Sequence, residues 1–152
     1  MLLAQNRHET ALGKEWMRVK ISQLHLSDFM LFQQADFQWS PGINVICGTN
    51  STGKTALIKL MYSLHKSYEQ WNSTETKEAA VNRFSEKLCG VFRPDNGKVG
   101  RLVRRKQGSA QMTASMGYEN GTSIDVNFGN RASKISTLAL PKIEHTASPD
   151  HT

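Results

Sequence analysis

The chain has 152 residues, 38% of them hydrophobic, and its nineteen Lys and Arg against thirteen Asp and Glu give a formal charge of +6. That length suits one domain with its own core. No apolar run approaches the roughly 20 residues of a membrane span, the apolar start before Gln5 is shorter than a signal-peptide core of about 7–15, and Cys47 and Cys89 lack CxxC spacing, so the expected location is the cytoplasm, with both thiols free and buried.

The histidines, His8, His25, His65, His145 and His151, show no metal-ligand spacing. Residues 1–16 have no periodicity and are expected to be a disordered extension, with the functional unit starting near Met17. From there Met17, Val19 and Ile21 alternate with Arg18 and Lys20, as in a strand with one buried face. Leu24 and Leu26 continue on the other parity, which predicts a bulge near Ser22 and Gln23. "ADFQWS" then turns Ala35, Phe37 and Trp39 inward, and Ser40 to Gly42 reverse the chain.

"INVIC", residues 43–47, reads as a strand buried on both faces of a sheet. A loop follows, and then Leu57, Leu60, Met61, Leu64 and Tyr68 recur at helical spacing, predicting an amphipathic helix over residues 53–71. Val81, Phe84, Leu88 and Phe92 mark a second helix, with Ser73 or Thr74 as its expected cap. Past "RPDNGK" the period falls to two, and residues 99–105, 110–118 and 122–128 read as an antiparallel meander. The "KQGS" turn joins the first pair and the Asn120-Gly121 hairpin the second. A short strand, "TLAL", precedes a polar tail over residues 142–152. The positive charge is concentrated between Arg83 and Lys106, where eight basic residues face only Glu86 and Asp95. Such a stretch is either a solvated face or a polyanion-binding patch centred on Arg101, Arg104 and Arg105.

The loop between the predicted strand and helix reads Gly48-Thr49-Asn50-Ser51-Thr52-Gly53-Lys54-Thr55, which fits GxxxxGK[ST] in the required strand-loop-helix context. The chemistry suits each position. Gly48 and Gly53 permit backbone bends that side chains block. Successive amides from Asn50 to Thr55, including those of Ser51 and Thr52, are expected to converge on phosphates at the positive end of the helix dipole. Lys54 supplies a charge toward the β- and γ-phosphates, and the Thr55 hydroxyl is the expected Mg²⁺ ligand.

The stretch "MRVKISQLHLSDFMLFQQADFQWSPGINVICGTNSTGKTALIKLMYSL" resembles the amino-terminal lobe of the ABC-type ATPase heads of the SMC/RecF group, including related AAA-family ATPases of prokaryotic DNA repair and phage defence. Asp28-Phe29 matches the turn that ends their first strand, and the loop matches their G-x-N-x-x-G-K-[ST]. The resemblance implies an α/β fold, the amino-terminal lobe of a P-loop NTPase, with a mixed sheet, two helices and an antiparallel meander over residues 17–141. It implies ATP and Mg²⁺ as ligands, with Asn50 steadying the loop. Where that family often has Gly or Asn, this chain has Ser51, although both tolerate left-handed backbone more readily than serine.

Hydrolysis in such heads also needs a Walker B strand ending in Asp-Glu, and "INVICG", "SIDVNF" and "TLALPK" do not match that pattern. An LSGG-like signature is absent too, and in the family these parts follow a long insertion or come from a second head. The leading expectation is therefore a partial ATPase that binds nucleotide and hydrolyses it only with a partner lobe or subunit, with self-association through surface that the missing lobe would cover. The alternatives are a minimal ATPase using Asp125 as a cryptic carboxylate, a basic nucleic-acid-binding module without enzymatic activity, and a reading frame with no present function.

Overall fold

The computed structural model describes residues 19–142, so the amino-terminal extension and all but the first residue of the polar tail lie outside the described residues. β1 (Ile21–Phe29) and β2 (Phe32–Gln38) form a hairpin. It is followed by α1 (Lys54–Gln70) and α2 (Lys77–Phe92), two 3₁₀ turns (Asp95–Gly97 and Val99–Leu102), and β3 (Gln111–Tyr118), β4 (Ser123–Gly129) and β5 (Thr137–Ala139). The strands lie in the order β2-β1-β3-β4-β5, and every pairing is antiparallel.

Alternation decides which side of the sheet is covered. Leu24 and Leu26 of β1, Met112, Ala114 and Met116 of β3, and Ile124, Val126 and Phe128 of β4 are all buried on one face. They form one core with Leu57, Leu60 and Leu64 of α1 and Phe84 and Leu88 of α2. The other face is polar, carrying the paired His25 and Asp36 together with Thr113, Asp125 and Asn127. The expected bulge is present as a register shift between Ile21 and Gln23. Asn120-Gly121 closes the β3–β4 hairpin, where Gly121 has φ 84 and the Tyr118 amide donates to the Thr122 carbonyl at 2.9 Å.

The second helix starts later than its composition suggests. Thr76, rather than Ser73 or Thr74, is the cap, its hydroxyl accepting from the Ala79 amide at 3.1 Å, and this satisfies one of the donors that a helix start leaves open. Residues 99–105 do not form the expected first strand of the meander. Gly100 is packed so tightly that an added Cβ would lie 2.6 Å from the Asn130 carbonyl oxygen, and its amide donates to the Ala132 carbonyl at 2.9 Å. The chain there winds into the Val99–Leu102 turn, and only Val103 bridges to the sheet, through Phe29.

Residues 43–47 depart furthest from expectation. They belong to no helix or strand, and they make no backbone–backbone hydrogen bond among the described residues. Ile43 is 92% exposed and Val45 77%, and Cys47 is exposed as well. In place of the expected mixed sheet, the described strands pair only antiparallel.

Candidate functional site

α1 begins directly from the glycine loop. Gly53, at φ 91 and ψ 7, is its N-cap; no side chain caps that end and no acidic residue stands in its first turn. The first amides of the helix therefore have no side-chain partner, which is the arrangement that favours an anion. Residues 50–56 line a cavity of about 480 Å³ together with Met30, Leu31, Lys59 and Phe92.

The loop is held by its own side chains. Lys54 bends back so that its ammonium donates to the carbonyls of Gly48 and Thr49, the latter at 2.6 Å. The Thr52 hydroxyl also donates to the Thr49 carbonyl, at 2.8 Å. A side chain at Gly48 would meet this cluster, since its Cβ would fall 2.8 Å from the Thr52 hydroxyl and 3.7 Å from the Lys54 ammonium. Ser51 has φ 64, the left-handed conformation that serine tolerates poorly. An L-residue there costs about 1–2 kcal/mol, partly offset by the greater freedom that glycine loses on ordering. Ser51→Gly should accordingly stabilise the fold by up to about 1 kcal/mol, measured by urea denaturation of both proteins.

Gly48, Asn50, Ser51, Thr52, Gly53, Lys54 and Thr55 are thus gathered in one bend, and Asn50 to Thr55 reach the cavity. Asp125 is not brought to it. It lies on the polar face of β4, accepts from the Ser123 hydroxyl at 3.3 Å, and lines a different cavity with His25 and Asp36. Sequence reasoning missed Met30, Leu31 and Phe92. The Asp28-Phe29 signal located the hairpin turn, where Asp28 and Met30 both have positive φ, but nothing in the periodicity joined its tip to a loop twenty residues later.

The basic stretch divides. Arg83 pairs with Glu75 and, with Lys87, belongs to α2. Arg101, Arg104 and Arg105 instead line a cavity of about 440 Å³ with Met30, Leu31 and Val103. Arg104 donates to the Leu31 carbonyl at 3.2 Å, and Lys106 pairs with Asp28 at 2.7 Å. The arginine cavity and the loop cavity therefore share Met30 and Leu31 of the same hairpin tip.

The family model described as AAA domain matches residues 23–139. The chain belongs to the AAA domain family. Its fold is an α/β domain of the P-loop NTPase type. This AAA domain is 27% identical over 99 residues to the DNA replication and repair protein RecF of Streptococcus equi subsp. zooepidemicus (strain MGCS10565), covering 57% of this chain and 27% of that protein. It is 32% identical over 94 residues to RecF of Corynebacterium jeikeium (strain K411), covering 59% of this chain and 21% of that one. With RecF of Renibacterium salmoninarum it shares 46% identity over 41 residues, covering 27% of this chain and 10% of that protein. The chain thus spans about a quarter of the length of the curated relatives it matches first. No solved structure matches. Within the described residues of this AAA domain, no helix is long and apolar enough to cross a membrane.

Proposed function

We propose that this AAA domain binds ATP with Mg²⁺ through residues 48–55, as one lobe of a RecF-like cytoplasmic ATPase, and that hydrolysis needs a second lobe. The observation that carries the reading is the loop itself. Gly53, the uncapped helix start and Lys54, whose ammonium folds over the loop carbonyls, all border one cavity, and Gly48 lies in the same bend. The Lys54 ammonium would exchange those carbonyls for phosphate oxygens, and Thr55 is the residue that would hold Mg²⁺, which in turn would neutralise phosphate charge.

The need for a second lobe is supported by what the first leaves uncovered. Ile43 and Val45 stand in solvent on a segment whose peptide groups lack strand partners, and Ile58 and Tyr62 of α1 are 55% and 52% exposed. Unpaired backbone and exposed apolar surface both favour association, with a partner lobe or with a second copy of this chain. Calorimetric titration with ATP–Mg²⁺, followed by a phosphate-release assay on the same protein, tests the reading. Binding without turnover is expected; absence of binding refutes the nucleotide assignment, and steady turnover refutes the need for a second lobe.

The convergence of Arg101, Arg104 and Arg105 on one cavity favours a second role in holding nucleic acid. Replacing all three by alanine should reduce the slope of log affinity against log salt by roughly 0.7–0.9 for each phosphate that is no longer neutralised. An unchanged slope would leave the cluster without that role.

A further inference from the structure

Phe32 begins β2, immediately after the hairpin tip, and its ring lies against the side of Gly53 where any other residue would carry a Cβ. Such an atom would fall 2.8 Å from Cζ and 2.9 Å from Cε2 of the ring. Phe32 does not line the loop cavity, so it touches the loop from outside. The ring is itself held in place. It meets Phe37 edge-to-face, at 6.2 Å between centroids and 86° between planes, and Phe37 stacks on Trp39 at 5.6 Å and 10°. Trp39 is fixed in turn by its amide, which donates to the Ser22 carbonyl of β1 at 2.8 Å.

We infer that Phe32 is a positioning residue for the phosphate loop, setting the height and direction of Gly53 and so of the first amides of α1 and of Lys54. This rests on the reading of the loop as an anion site. Gly53 is where left-handed loop backbone passes into helix, so a small shift there moves every donor that follows. A flat ring with two torsions, braced by a second ring, limits that shift, whereas a smaller or flexible side chain would not.

Phe32→Ala and Phe32→Tyr separate positioning from packing. If Phe32 only filled apolar space, tyrosine would replace it without loss. Cζ and Cε2 are the ring atoms nearest the place a Gly53 Cβ would take, so a hydroxyl on Cζ is expected to crowd the glycine. Both variants should weaken ATP–Mg²⁺ binding by roughly tenfold or more, and Phe32→Leu should fall between them and the parent. Amide exchange in the nucleotide-free protein provides a readout that does not depend on binding. Faster exchange is expected at residues 57–60, the first amides of α1 with helical acceptors, beginning with Leu57 on the Gly53 carbonyl at 2.9 Å, in the alanine and tyrosine variants, with the β3–β4 hairpin unchanged. If the parent binds nucleotide and both variants bind within twofold of it, the inference is overturned. If the parent binds none, the nucleotide reading fails and exchange alone decides: unchanged rates at residues 57–60 overturn the positioning role, and local acceleration sustains it.

Discussion

Lys54→Ala should weaken ATP–Mg²⁺ binding by roughly 10- to 150-fold, because hydrogen bonds to charged groups contribute about 1.5–3 kcal/mol. In the structure the ammonium is satisfied by the Gly48 and Thr49 carbonyls, and these lie in an exposed loop where water can replace it. Thermal stability without nucleotide should therefore change little, within the ±0.5 kcal/mol typical of surface substitutions. Calorimetry and a melting curve on the same preparation make the check. Loss of binding with an unchanged midpoint assigns the lysine to the ligand; equal binding by both proteins would show that the cavity takes no triphosphate through Lys54.

The second large effect falls on α1 and separates its two apolar faces. Leu60 is fully buried between the helices and the sheet, beside Leu57 and Leu64. Leu60→Ala should cost about 2–5 kcal/mol, from lost transfer energy together with the cavity left behind. Ile58 lies two residues away on the same helix but is 55% exposed, so Ile58→Ala should change the stability of this chain by less than about 0.5 kcal/mol. Urea denaturation of both variants checks the contrast. A substantial loss at Ile58 would mean that its face is already covered, and the reading of that face as an interface would go with it.

The elements legible in the sequence are those whose cause is local. The stripe through Leu57, Leu60 and Leu64 and the one through Phe84 and Leu88 follow from a 3.6-residue period. The Asn120-Gly121 turn follows from the positive φ that glycine supplies. The glycine loop is readable because each of its positions answers a separate requirement of backbone or charge, and the left-handed demand at Ser51 is visible as a departure from the family pattern. Residues 43–47 mislead because an apolar run implies burial only when something buries it. Here no described strand does so. Residues 99–105 alternate like a strand, yet the tight seat of Gly100 against residues 130–132 overrides that pattern. The hairpin tip and Phe32 are invisible for a related reason: they join β1–β2 to a distant loop, and no short-range period encodes such a junction.

The central claim is that the amides and ammonium of residues 48–55 receive a triphosphate. Titrating ¹⁵N-labelled protein with ATP–Mg²⁺ and following each backbone amide tests it most directly. Saturable shifts concentrated at Asn50 to Ala56, absent in Lys54→Ala, are the predicted result. Shifts confined to Arg101, Arg104 and Arg105, or none at the loop, would contradict it.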